Sequence, residues 1–118
     1  MKVDALGTEY VIETHKVSED PALEEGRLAG YCAEEGKLIV VADMSEEKYF
    51  RHMDKNEQET YKKKILRHEL IHAFLGESGL SDSSSVPSCG WAKHEEMVDW
   101  LAIQLPKIFA AFEKVGCM

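Results

Sequence analysis

Four short stretches near the start of the chain are rich in apolar and β-branched residues and are bounded by polar and turn residues. These are Val3 to Leu6, Tyr10 to Thr14, Leu28 to Ala33 and Lys37 to Ala42, and the pattern predicts four β-strands. The run Leu38-Ile39-Val40-Val41 is apolar without interruption, so it is expected to be the most buried strand. Glu34-Glu35-Gly36 predicts a hairpin turn between the last two strands. Ser18 to Gly26 is polar and contains Pro21, which predicts a loop with one helical turn, and Ser45 to His52 predicts a short helix with Ser45 as N-cap.

Beyond Met53 the period is that of a helix. Asn56 followed by Glu59 has the spacing of a capping box, and Gly79 can end the helix in the left-handed conformation, with Leu80 folding back on the last turn. Ser81 to Ser88 predicts a flexible connection. A last helix is expected from about Ala92 to Val115, kinked or split at Pro106, with Ile108, Phe109 and Phe112 packing on the sheet. Strands followed by helices predict an α+β fold in a single domain, residues 1–118. A small, mostly antiparallel sheet would cover one side of the long helix and the last helix would cross the other.

Within the long helix stands His68-Glu69-Leu70-Ile71-His72, the H-E-x-x-H pattern. Residues four apart on a helix lie one above the other, so both imidazoles can share one metal ion while Glu69 sits beside it as a general base. A third ligand is required. The pattern that continues G-x-x-H is excluded, because Leu75 and Ser78 stand at those places. The other solution is a glutamate on a second helix, with Glu95 preferred, since Glu95 leads into the apolar face of Val98, Ala102 and Leu105. Glu96 competes for the role, and His94 is a weaker candidate. Asp99, four residues after Glu95, is placed to accept the free ring N–H of a ligating histidine, His68. Of three scattered cysteines, Cys89 lies between the two helices but reads as a loop or packing thiol. The competing assignment is that both histidines are structural and that the acidic residues at 95, 96 and 99 only suit the start of a helix.

The stretch Leu66 to Leu80, then Trp91, then Glu95 to Ile108, with Gly30-Tyr31-Cys32 ahead of a strand, resembles small zinc-peptidase-like proteins of bacteriophages and mobile elements. These are similar to minimal gluzincins and, more distantly, to the ImmA/IrrE metallopeptidases, and the resemblance spans about residues 28 to 112. It implies a zincin-like fold, zinc on His68, His72 and Glu95, a base at Glu69 and a supporting carboxylate at Asp99. Asp99 and Leu101 stand where the ImmA/IrrE proteins usually carry Asn and Phe, and the DNA-binding domain of many members has no counterpart here. The repressor substrate of that group is therefore not carried over.

Composition narrows the expectation. The formal charge is −8, with 22 acidic against 14 basic residues, and the one basic cluster, Lys62-Lys63-Lys64, reads as the solvated face of a helix. No nucleic-acid partner is expected. No run of about 18 apolar residues occurs and Met1-Lys2-Val3-Asp4 lacks the apolar core of a signal peptide, so neither a membrane span nor export is expected and the location is taken as cytoplasmic. The expected activity is zinc-dependent hydrolysis of a protein or peptide substrate inside a bacterial cell, with Zn2+ as cofactor. Tyr31, His52, Tyr61 and His94 are candidate donors to the oxyanion. Two other readings stand beside it: a zinc-binding but catalytically inert interaction module of a phage or mobile element, and a metal-free interaction protein. Oligomeric state is not set by these patterns.

Overall fold

Strand β1 (Lys2–Ala5) returns as β2 (Thr8–His15) over two residues, Leu6 and Gly7, whose φ angles are 54° and 91°. Two consecutive positive φ values make the type I′ turn whose twist suits a hairpin. Leu6, read as strand from its apolarity, is thus a turn residue and is exposed. These coordinates come from a computed structural model in which residues 1–80 and 91–118 are described. The connection expected over Ser81 to Ser88, together with Cys89, lies outside the described residues.

After β2 the chain is more regular than its polarity suggests. A 3₁₀ turn (Val17–Glu19) leads into α1 (Pro21–Gly26), where a loop with one helical turn was expected. The cause is Asp20, whose Oδ1 accepts from the N–H groups of Ala22 (3.0 Å) and Leu23 (3.4 Å), with Pro21 preset for the first helical position. The other oxygen, Oδ2, accepts from the Tyr31 hydroxyl at 2.8 Å and lies 2.6 Å from His15 Nδ1. These partners hold the Asp20 carboxyl below its ordinary range, and Asp20 and Glu13 raise His15 above its own.

Strands β3 (Gly30–Ala33) and β4 (Leu38–Ala42) complete a sheet of order β1-β2-β4-β3. β1/β2 and β3/β4 are antiparallel, but β2 and β4 run parallel, Val11 facing Leu38 and His15 facing Ala42. The sheet is therefore mixed. β4 lies inside it, and Ile39 to Ala42 are all buried because both faces are covered. On one face Val40 and Ala42 pack with Val17, Leu23, Met44 and Phe50; on the other Ile39 packs with Ala5, Tyr10 and Ala73. Helix α2 (Glu47–Phe50) is shorter than expected, and its N-cap is Glu46; the Ser45 N–H is held by Asp43 instead.

Helix α3 (Lys55–Glu77) crosses the second face. Its capping box is formed by Asp54 and Glu57, two residues before the expected Asn56 and Glu59. The Glu57 N–H donates to Asp54 Oδ1 (2.8 Å) and the Asp54 N–H to Glu57 Oε2 (3.2 Å). Both sequences fit the pattern, and the charged cap better suits the positive end of the helix. Ser78 ends the helix with Gly79 at φ 84°, while Leu80 remains 40% exposed. Glu77 ties this end to the sheet by accepting from Thr8 Oγ1 (2.9 Å), Tyr10 Oη (2.8 Å) and Lys37 Nζ (2.5 Å), which lowers its carboxyl to about 2. Of the lysine triplet only Lys63 is exposed, and the Lys64 ammonium lies 4.9 Å above the Tyr61 ring.

Helix α4 (Glu95–Val115) runs through Pro106 without a break. Proline has no N–H, so the Ala102 carbonyl loses its usual donor four residues on. Arg67 of α3 supplies the replacement, with its Nε 2.5 Å from that oxygen. One residue thereby satisfies the proline's defect and fixes α4 on α3. Arg67→Met leaves the carbonyl unpaired and is expected to cost about 1–3 kcal/mol, whereas Pro106→Ala restores the internal donor. Chemical denaturation of the double-mutant cycle should show a smaller loss for Arg67→Met in the Pro106→Ala background; equal losses would show that the two residues are independent.

Ile108, Phe109 and Phe112 were expected on the sheet. Instead α4 packs chiefly on α3, which stands between it and the strands, and Phe109 and Phe112 are 46% and 40% exposed. Among the described residues no helix is long and apolar enough to cross a membrane.

Candidate metal centre

His68 and His72 lie one turn apart on α3, and their rings meet edge to face with centroids 4.8 Å apart. The two Nε2 atoms are 3.1 Å apart and point to the same spot. Glu95, the first residue of α4, closes the triangle: its Oε2 is 3.1 Å from His68 Nε2 and its Oε1 3.0 Å from His72 Nε2. Val98 and Ala102, buried on α3, fix the rotation of α4 that aims Glu95 inward. Glu96 is exposed, and His94 is occupied as the N-cap of α4, its Nδ1 accepting from the Met97 N–H at 3.2 Å.

Asp99 occupies the next turn of α4, with its Oδ1 2.7 Å from His68 Nδ1. That contact assigns the ring proton to Nδ1 and leaves the Nε2 lone pair facing His72 and Glu95. Two imidazole nitrogens and a carboxylate aimed at one point form a donor set that could hold a metal ion. The triangle's edges, 3.0 to 3.1 Å, are close to the roughly 3.3 Å separating donors around a tetrahedral zinc at about 2.0–2.1 Å. The residues present therefore fit a single small metal ion. His68, Glu69 and His72 alone place ligand atoms within 4.8 Å of one another and could hold one.

Glu69 faces the same space from α3, its Oε1 4.0 Å from His68 Nε2, and is 7% exposed. Burial is the main reason its carboxyl is pushed up to about 7; the nearby Glu95 and Asp99 charges add to this and His68 opposes it. Burial also lowers His72, keeping the imidazole in the neutral form that ligates metals.

A cavity of about 340 Å³ opens over these groups, walled by Leu28, by β3 at Gly30, Tyr31 and Cys32, and by Glu34. β3 is an outer strand of the sheet. The Ala42 N–H bonds the Ala29 carbonyl at 2.8 Å, so by antiparallel alternation Tyr31 and Ala33 pair with β4, and Gly30 and Cys32 turn their backbone groups to the open edge.

Gly30 allows the strand to lie directly on α3. A Cβ there would fall 2.6 Å from Ile65 Cγ2 and 2.9 Å from the Val40 carbonyl oxygen, with Glu69 Cγ at 3.5 Å. Gly76 continues the stripe of His68 and His72 by one turn, and its missing side chain admits the Glu34 carboxylate, 2.8 Å from where the Cβ would be. Glu34 was missed in the sequence reading. The available signal was a glycine four residues after His72, inside a helix that otherwise has none.

The expected oxyanion donors do not gather here. Tyr31 contributes strand to the cavity wall, but its side chain leaves by the opposite face and its hydroxyl is bonded to Asp20. Tyr61 packs against that opposite core, His52 is exposed, and His94 caps α4. The Cys32 thiol on the wall is raised to about 12 by burial and by Glu34 and Glu69, so it stays protonated. No protein-family model, curated protein or solved structure matches the chain.

Proposed function

We propose that the protein is a zinc-dependent peptidase acting on a protein or peptide substrate. The observation that carries this reading is the convergence of His68 Nε2, His72 Nε2 and both Glu95 oxygens within 3.0 to 3.1 Å, with the buried Glu69 carboxylate beside them. Two nitrogens and a carboxylate suit zinc, and a glutamate that adds nothing to a closed structural site is the group a hydrolytic site needs.

His68, His72 and Glu95 would hold the ion, and Asp99 would keep the His68 ring in the ligating tautomer. When bound, zinc supplies Lewis acidity, lowering the pKa of water toward about 7 and polarising a carbonyl. Glu69 takes the proton of the attacking water as its oxygen bonds to the scissile carbon. It then returns that proton to the leaving amine nitrogen as the C–N bond breaks. A nearby cation favours the Glu69 carboxylate, drawing its raised pKa back down into the range of a base. An extended peptide can pair with the open backbone groups of Gly30 and Cys32, which would lay it across the cavity beside Glu69.

Elemental analysis of the purified chain tests the ligand set. One zinc per chain is expected in the wild type and in Glu96→Gln, and a marked loss in Glu95→Gln. A wild type that takes up no zinc from excess metal would overturn the proposal. Zinc retained equally in Glu95→Gln would remove Glu95 from the site.

A further inference from the structure

The apolar face of α4 continues past the helix that covers it. Val98 is buried, Leu101, Leu105 and Ile108 are half-buried, and Phe109 and Phe112 are 46% and 40% exposed. Beside them, α3 and α4 enclose a groove of about 560 Å³ lined by Leu70, Ile71 and Phe74 of α3 and Leu105, Pro106 and Phe109 of α4. Its one charged lining residue is Arg67, already bonded to the Ala102 carbonyl. The radius of gyration, 15.3 Å, exceeds the ~13.5 Å of a compact chain of this length.

We propose that this groove is the dimerisation surface of the protein, filled by α4 of a second copy lying antiparallel across a two-fold axis between Ile108 and Phe109. The register follows from the side chains. With the axis there, Leu105 of each copy faces Phe112 of the other, Ile108 faces Phe109, and Leu101 faces the small Gly116. The inserting Phe112 meets the groove at Leu105, so the same patch serves as both insert and receptacle, as a two-fold interface requires. No like charges oppose one another in this register, since Glu113 falls level with Gln104, Lys114 with Ile103 and Lys107 with Ala110.

The exposed parts of Phe74, Phe109, Phe112 and neighbouring aliphatic groups amount to on the order of 500 Å² per copy. Two copies then bury about 1,000 Å², the lower bound of a specific interface. At that lower bound the dimer is expected to be weak and to form in a concentration-dependent way. Residues 68, 72 and 95 lie outside the groove lining, so the pairing does not depend on the metal-centre reading.

Sedimentation velocity of the full chain from about 5 μM to 1 mM provides the test, with two substitutions of similarly exposed residues on opposite faces of α4. Phe112→Asp is expected to weaken association by a hundredfold or more. Ile103→Asp, at a residue 43% exposed and turned away from the groove, is expected to leave it within about twofold. Circular dichroism of both variants verifies that they fold. A wild type that stays monomeric up to 1 mM overturns the proposal. Equal weakening by the two substitutions also overturns it, because association would then be non-specific.

Discussion

Glu69→Gln is expected to lower peptide hydrolysis by about 10²–10⁴-fold while zinc stays at one per chain. Glutamine matches the shape of glutamate and fills the same buried place, but it cannot take the proton from the attacking water. His68, His72 and Glu95 keep their positions because none of their contacts runs through Glu69 apart from the 4.0 Å approach to His68. A turnover assay on a quenched peptide, alongside elemental analysis, separates the roles. Loss of zinc with loss of activity would make Glu69 a ligand, and unchanged activity would falsify its role as base. Stability offers an independent sign. In the metal-free protein the Glu69 carboxyl is raised from 4.5 to about 7, so the folded state resists its ionisation. That destabilisation is absent below pH 4.5, grows through the interval and is complete above pH 7. Metal-free Glu69→Gln should therefore melt above the wild type at pH 8, with the gap closing toward pH 4.5.

The second large effect is expected from Gly30→Ala, which should cost about 1–3 kcal/mol and move β3 away from α3. The added carbon would meet Ile65 Cγ2 at 2.6 Å and the Val40 carbonyl at 2.9 Å. Neither can swing aside: isoleucine on a helix is confined to essentially one χ1 rotamer, and the carbonyl belongs to the central strand. Because the same strand walls the cavity over Glu69, the displacement should also loosen substrate binding. Denaturant unfolding of Gly30→Ala, with and without Ile65→Ala, gives the check. Partial recovery in the double variant is expected, and additive losses would mean that the clash with Ile65 is not the cause.

Local signals carried much of this structure. The H-E-x-x-H spacing put both histidines on one helical face, because four residues make a little over one turn whatever surrounds the helix. Glu95 was distinguishable from Glu96 by phase, since it leads the apolar stripe of Val98 and Ala102, and that stripe is buried. The same local logic misled at Leu6, where an apolar residue occupies a positive-φ turn, and at Asn56, where two capping sequences overlap and only one can be used. Over Ser18 to Gly26 it was right in part. One helical turn was expected in a loop, and the six-residue α1 forms there because Asp20 satisfies the first N–H groups of the helix while also accepting from Tyr31 and approaching His15 on other strands.

Features that depend on spacing within one element were thus legible in the chain: the α+β order of elements, the paired histidines, and the Glu95–Asp99 stripe. Tertiary structure alone decided the parallel pairing of β2 with β4, the choice of β3 as the strand over the cavity, and the arrival of Glu34 against Gly76. It also decided that Arg67 supplies the donor Pro106 lacks, and that α3, by covering the sheet, leaves Phe109 and Phe112 exposed. The physical reason is the same in each case. Backbone periodicity fixes which way a side chain points from its own element, whereas contacts between elements depend on how several faces compete to bury apolar area and pair polar groups, and no single segment encodes that outcome.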